Sequence, residues 1–243
     1  MYILTLPSLT NSARLLAGKL TVEGGKRIEV LSSPQREPPL VRWGCSHGEY
    51  SNDTRYNSRK AIRTCGNKTA FSNFLSMTDI SYVEMNSGNP ERFPIVVRTV
   101  LNGNSGDGIV ICKNMNEFLP YRKYQWSYFY NFDYELGVHI LGGRIEKLFK
   151  KVWNRDTPEP DYPIRNMDKG YGFRRVNPIS FKKLHPYVQS IYDEFGIEFC
   201  RADIGWDISN RCYRVIEVNT APSLSNNEDT LGTYFEFLKD RLL

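Results

Sequence analysis

The stretch Phe199–Leu224, FCRADIGWDISNRCYRVIEVNTAPSL, constrains the fold more than any other part of the chain. Phe199–Ile204 alternates apolar and polar residues, as a half-buried strand does. Tyr213–Val218 is a second strand-like run, with Val215, Ile216 and Val218 apolar. Between them Asp207–Arg211 supplies Asp, Ser and Asn, residues that favour turns. Strand side chains alternate between faces, so Glu217 and Asn219 point the same way, and Asp203 joins them if the two strands pair. Two carboxylates and an amide on one wall are a set of hard oxygen ligands suited to Mg²⁺ holding nucleotide phosphates. A solvated hairpin face that carries acids is the plainer reading of the same residues.

A chain of 243 residues is long enough for one large or two small domains with a real core. No apolar run approaches the ~20 residues that span a bilayer, and MYILTLPSLT has no basic segment before its short apolar run, so it makes a poor signal peptide. The five cysteines are spread without metal-site spacing, which favours reduced thiols and a cytoplasmic location. His47, His139 and His185 lie far apart, which argues against a zinc site. A formal net charge of +5 suits anionic ligands such as nucleotides, carboxylates or nucleic acid, although surplus Lys and Arg commonly just decorate a surface.

Residues 1–64 read as a small α/β unit. Met1–Leu6, Arg27–Leu31 and Leu40–Trp43 are strand-like, and Ser12–Leu20 has helical spacing at Ala13, Leu16, Ala17 and Leu20. Asn57–Leu75, NSRKAIRTCGNKTAFSNFL, carries Lys68, whose plainer reading is a solvated lysine at a helix start. Pro94–Val100 and Ile109–Cys112 are strands around a loop that holds Gly103, Gly106 and Gly108, and glycines let backbone N–H groups approach phosphate oxygens closely. An ordinary hairpin also needs glycine. A dense aromatic run, Tyr124–Tyr130, precedes Asp133–Leu141. Arg144, Lys147, Lys150 and Lys151 lie on a strand within Gly142–Trp153. The polar stretch Asn154–Asn177 reads as a loop, Ile179–Phe195 as an amphipathic helix stopped by Gly196, and Thr230–Leu242 as a last helix.

Taken in order, these segments resemble the ATP-grasp ligases, especially the RimK-like branch and small stand-alone ATP-grasp proteins encoded by phages. The resemblance covers about residues 57–225 and rests on an Asp-bearing strand, a turn and V-I-E-V-N-T-A-P-S-L, with the upstream segments in family order. It implies an α+β ATP-grasp fold, two α+β subdomains clasping ATP. A reduced N-terminal α/β unit would span residues 1–64, a nucleotide-lid subdomain 65–131, and a metal-binding subdomain 132–243. Carried over residue by residue, it makes Asp203, Glu217 and Asn219 the ligands of Mg²⁺, with Mn²⁺ as a substitute. It gives Lys68, Arg98, Gly106 and Gly108 to the ATP phosphates, and Phe129 and Tyr130 to the hinge that reads adenine. Glu135 goes to ribose or substrate, and Lys150 or its neighbour Lys151 to the γ-phosphate. Arg165, in Ile164-Arg165-Asn166, goes to the γ-phosphate or an acidic substrate. Arg98 stands where most of the family has Lys; its planar fork binds phosphate oxygens in pairs. Gly137 stands where the family pattern E-x-R-V-H-V has Arg.

The implied reaction joins a carboxylate to an amine, each a small molecule or a peptide, through an acyl phosphate with release of ADP and phosphate. Two other readings stay open: a phosphotransferase on the same fold, and a non-catalytic nucleotide- or nucleic-acid-binding module. The sequence has no RNA-recognition or helix-turn-helix signature, which ranks nucleic acid last among partners. No membrane partner is expected, a homodimer is left open, and a phage-encoded chain would act in its host's cytoplasm.

Overall fold

The apolar spacing of the first segment produces a unit in which β1 (Tyr2–Thr5) is the middle strand, followed by α1 (Thr10–Gly24), β2 (Glu29–Leu31) and β3 (Val41–Trp43). The three strands are parallel in the order β2-β1-β3. The computed structural model describes residues 2–24, 28–33, 35, 39, 41–47, 56–100, 108–224 and 227–242. Two short helices come next, α2 (Arg59–Gly66) and α3 (Lys68–Leu75). Each starts at a side-chain cap. Ser58 accepts the Ala61 N–H, and Asn67 accepts those of Thr69 and Ala70, which satisfies amides left unpaired at a helix start.

A small antiparallel sheet follows, built from β4 (Ile95–Arg98), β5 (Ile109–Cys112) and β6 (Gln125–Tyr128) in the order β5-β4-β6, with the one-turn α4 (Met115–Phe118) between β5 and β6. Its own core is Ile95, Val97, Cys112, Phe118 and Trp126. Trp126 is 3% exposed, as expected of a core residue, and its indole N–H donates to the Gly88 carbonyl.

The chain then enters the central sheet with β7 (Tyr134–Leu141), β8 (Arg144–Trp153) and β9 (Tyr171–Arg175), crosses its back as α5 (His185–Phe195), returns as β10 (Phe199–Asp207) and β11 (Cys212–Asn219), and ends in α6 (Glu228–Leu242). The order is β11-β10-β7-β8-β9, antiparallel throughout. One face carries Leu136, Val138, Ile140, Ala202, Ile204 and Val215 into a core with residues of α2, α3 and α5, among them Ala61, Phe71, Val188 and Ile191. By packing, α3 therefore groups with the central sheet, and the small sheet begins only at Ile95. A second core joins α1 and β3 to α6: Leu16, Leu20 and Trp43 meet Phe199, Leu231, Tyr234 and Leu238. Trp43 stacks on Phe199 with ring centroids 5.1 Å apart.

Two segments differ from the sequence expectation. Asn154–Asn177 is not one loop, because Tyr171–Arg175 pairs with β8 as the edge strand β9. The helix expected over Ile179–Phe195 is split: Pro178–Leu184 is 3₁₀, Phe181 has non-helical angles, and α5 begins at His185 with Pro186 in its first turn. Proline has no N–H to continue a preceding helix but fits a first turn. Gly196, at φ +59°, ends α5 in the left-handed region as the sequence implies.

Candidate active site

The face of the central sheet opposite its core gathers most of the chemistry. β10 lies between β7 and β11, and Asp203 is in register with Glu217 on one side and Gly137 on the other. The register shifts immediately after Asp203, so Ile204 pairs with Val215 and β11 carries one extra residue. That bulge is why Val215 and Val218, an odd number of residues apart, both reach the core. It leaves Glu217 and Asn219 together on the open face. Asn219 is oriented by its own turn, its Oδ1 accepting the Ala221 N–H at 2.9 Å.

Charges of alternating sign run across this face. Arg201 Nε lies 3.1 Å from Asp203 Oδ1, and Lys151 Nζ lies 2.9 Å from Asp203 Oδ2 and 3.1 Å from Glu135 Oε2. Arg165 Nη1 is 3.5 Å from Glu135 Oε1, and its Nε is 3.2 Å from Glu159. Burial pushes the Asp203 carboxyl up, but Arg201 and Lys151 more than offset it and hold the group below the usual carboxylate range. Glu217 is the more open of the opposed acids, with 41% side-chain exposure against 6% for Asp203, and receives Lys68 Nζ at 3.0 Å. The Asn67 cap fixes the start of α3 that carries Lys68, and Thr69 Oγ1 meets Gln125 Oε1 of β6 at 2.5 Å.

Arg98 ends β4. Its Nε is buried and, among the described residues, has no hydrogen-bond partner. Burial lowers its pKa and the nearby Glu217 raises it, so the guanidinium is a half-buried cation beside an acid, and an anionic ligand would give its buried Nε a partner.

The expected residues therefore converge from separate segments: Lys68, Arg98, Glu135, Arg165, Asp203, Glu217 and Asn219. Lys150, named for the γ-phosphate, does not join them. It pairs with Leu136, whose side chain is in the core, and its ammonium lies 4.8 Å from the centroid of Tyr134. Lys151 enters the cluster instead, because one step along a strand reverses the face. Phe129 follows β6 and gives its N–H to the Pro94 carbonyl at 3.1 Å. Tyr130 stacks on Phe132 at 5.7 Å, with the Arg214 guanidinium 4.7 Å from its centroid. An open groove of about 290 Å³ adjoins this ring, lined by Thr78, Asp79, Tyr82, Glu84 and Arg214 among others; it contains none of the oxygen-ligand set. Gly103 and Gly106 lie outside the described residues. Gly108 has φ +69°, and a Cβ there would meet Thr99 Oγ1 at 2.6 Å, so no other residue fits without movement.

Arg201 is the residue that sequence reasoning missed, although alternation back from Asp203 places it on the same face. A Cβ on Gly137 would meet Arg201 Cδ at 3.6 Å and Phe173 Cε1 at 3.5 Å. The guanidinium sits 5.3 Å from the Phe173 centroid. The arginine expected at 137 is thus absent from β7, and one from the neighbouring strand fills the space above the glycine.

His139 adjoins this row, 5% exposed. Tyr234 donates its hydroxyl proton to the Cys200 carbonyl, so its oxygen accepts from His139 Nδ1–H at 3.1 Å. Burial, then Arg201, lowers the His139 pKa from 6.5 to about 3. The folded state thus refuses a proton that the unfolded state takes up below pH 6.5, and the resulting stability is present above 6.5 and lost progressively as pH falls toward about 3. Thermal midpoints measured from pH 7 to 4.5 should fall, and fall less steeply in His139→Gln; equal slopes would remove His139 as a cause.

Comparison with solved structures places this geometry. The chain is similar to ATP-grasp ligase PsnB in complex with a minimal precursor, at 10% identity and TM-score 0.67, over 99% of this chain and 98% of that one. It is similar to the D-alanine–D-alanine ligase of Bacillus anthracis in complex with ATP, at 14% identity and TM-score 0.63, over 98% of this chain and 93% of that one. A RimK-domain ATP-grasp protein from Sphaerobacter thermophilus matches at 12% identity and TM-score 0.63, over 99% and 98% of the two chains. No protein-family profile and no curated protein sequence matches the chain. Likeness at these identities establishes fold, and the fold is ATP-grasp, in the α+β class expected from the sequence.

Proposed function

We propose that this ATP-grasp chain is an ATP-dependent carboxylate–amine ligase. The observation that carries the reading is the convergence on one face of two opposed acids, Asp203 and Glu217, with cations from three other elements, Lys68 of α3, Arg98 of β4 and Lys151 of β8, and with Arg201 of β10 itself. A solvated hairpin face would not draw Arg98, whose Nε is buried with no hydrogen-bond partner among the described residues, toward its acids.

Asp203, Glu217 and the Asn219 amide fit Mg²⁺. The set is all oxygen, and two carboxylates plus phosphate oxygens are what this ion commonly takes. Among the described residues no three His, Cys, Asp or Glu side chains form a metal group, so the amide and the nucleotide complete the shell in this reading. The ion supplies neutralisation of the phosphate charge. Lys68 and Arg98 bind the phosphates from the side of α3 and β4. Glu135 accepts from the ribose hydroxyls, and the backbone around Phe129 and Tyr130 reads the base. Lys151 balances Asp203 and Glu135 beside the γ-phosphate. Arg201 faces the carbonyl oxygen of the reacting carboxylate, where negative charge builds as the amine attacks.

In the first step a carboxylate oxygen attacks the γ-phosphorus and ADP leaves, giving an acyl phosphate. In the second an amine attacks the carbonyl carbon, the C–O bond to phosphate breaks, and the amine proton leaves with the phosphate. Phosphoryl transfer asks mainly for position and charge, which this face provides. The carboxylate and amine are small molecules or peptides; PsnB, at the same fold, is seen with a precursor peptide. The test is to incubate the protein with MgATP, pooled carboxylates or acidic peptides, and hydroxylamine. Hydroxamate formed in step with ADP is expected. A stable phosphorylated product that hydroxylamine does not consume would make the protein a phosphotransferase instead.

A further inference from the structure

Residues 154–170 leave the sheet between β8 and β9 although Trp153 and Tyr171 are already paired, where a tight turn would suffice. Among the described residues, backbone hydrogen bonds tie this excursion to the sheet only at its base, from Asn154 N–H to the Gly170 carbonyl at 3.0 Å and Tyr171 N–H to that of Asn166 at 3.1 Å. The rest is held by side chains. The Trp153 indole N–H donates to the Thr157 carbonyl at 2.6 Å, and Glu159 takes both the Tyr171 hydroxyl and Arg165.

Its reach is toward Phe129 and Glu135, which bound the nucleoside end of the nucleotide cleft in the ligase reading. Tyr162 meets Phe129 edge-to-face, with ring centroids 5.2 Å apart. Lys113, immediately after β5 of the small sheet, has its ammonium 5.2 Å from the Tyr162 centroid. Arg165, whose side chain is only 9% exposed, reaches Glu135. One excursion thus touches the end of β5 in the small sheet, the segment between the sheets, and the start of β7, three places near the proposed nucleotide. Its ties to the first two are one ring pair and one cation–ring contact, strong enough to hold the excursion down and weak enough to part.

We propose that Tyr162 is a positioning residue for the nucleotide: through Phe129 and Lys113 it fastens the excursion across the open side of the cleft, so that bound nucleotide leaves only after this contact parts. The proposal rests on the ligase reading, since it needs the nucleotide between Phe129 and Glu135. The ring is the working part, and the hydroxyl is dispensable.

The experiment loads wild type, Tyr162→Ala, Tyr162→Phe and Lys113→Ala with radiolabelled ADP and Mg²⁺, chases with unlabelled ADP, and follows release by rapid filtration. Loss of the ring should speed release on the order of tenfold, the weight of one ring pair and one cation–ring contact. Tyr162→Phe should match wild type, and Lys113→Ala should fall between. Under turnover, Tyr162→Ala should raise KM for ATP without lowering kcat. An unchanged ligand-free melting temperature shows that the variant is folded. Equal release from wild type and a folded Tyr162→Ala overturns the proposal alone, as does a Tyr162→Phe that behaves like alanine. If Tyr162→Ala does not fold, Lys113→Ala decides by the same rate. A wild type that binds no ADP removes this proposal together with the ligase reading, and that outcome is distinct from the others.

Discussion

Glu217→Ala should bring ADP formation to background, a loss on the order of a thousandfold or more, while the protein melts within a few degrees of wild type. Glu217 is the more exposed of the opposed acids, so removing it uncovers no core; Lys68, at a side chain 20% exposed, loses its partner, and Arg98 and Arg201 lose a nearby negative charge. An exposed ion pair contributes little to stability. The loss therefore falls on the phosphate end of the site. Two measurements check it: coupled ADP release, and the thermal shift given by ATP with and without Mg²⁺. A ligand at a hundred times its dissociation constant adds about 2.7 kcal/mol, an effect that wild type should show with Mg²⁺ and the variant should lose. Normal turnover by the variant would end the metal assignment.

Lys151→Met should, by contrast, damage stability as well as activity. The ammonium is 11% exposed and lies between Asp203 and Glu135, at 6% and 13%. Burial alone would lower its pKa; the two carboxylates overturn that and raise it above the ordinary lysine value. The sign follows: its stabilisation is complete below pH 10.5 and is lost only as pH climbs through the raised value, so all of it is present at neutrality. Methionine keeps the length and leaves two acids facing each other with less compensation, a change that costs about 3–5 kcal/mol when a buried pair is broken from one side. Chemical denaturation at pH 7 measures this directly. The deficit should shrink as pH falls and the acids take up protons. A variant as stable as wild type at pH 7 would mean that water already screens the cluster.

The two strands around the polar turn were legible because alternation, turn residues and an acid–x–amide pair all lie within one short stretch. Lys68 and Arg98 were legible only through the order of segments shared with the ATP-grasp ligases, since a lysine at a helix start or an arginine at a strand end is by itself an ordinary surface feature. What stayed open is one-residue phase. Within FKKVW nothing local says which lysine faces the acids, and the answer depends on pairing with β7, a contact between residues distant in sequence. The strand β9 hid inside a polar, proline-rich stretch because it is an edge strand of five residues with three of them exposed, which leaves little apolar alternation to see. Pro186 was visible and should have placed the start of α5. Arg201 was within reach of simple alternation from Asp203; what the sequence does not show is that the pairing of β10 with β7 leaves space for it above Gly137.

The stacking of Trp43 on Phe199 bears on how this protein can be divided or recombined. Phe199 opens the strand that carries Asp203, and its backbone is gripped on both sides by Asn57, through its N–H at 3.3 Å and its carbonyl at 2.9 Å. Trp43, Phe199 and Tyr234 share one core with α1 and α6. The first sixty residues are therefore not a detachable accessory. A shortened chain beginning after them would strip one wall from the strand that aligns the acids, and a graft of another N-terminal unit would have to reproduce that wall before it offered any new surface. Exchange of parts should succeed within the 154–170 excursion where Glu159, Tyr162 and Arg165 are kept, since it stands outside every hydrophobic core, and fail at the N-terminal border.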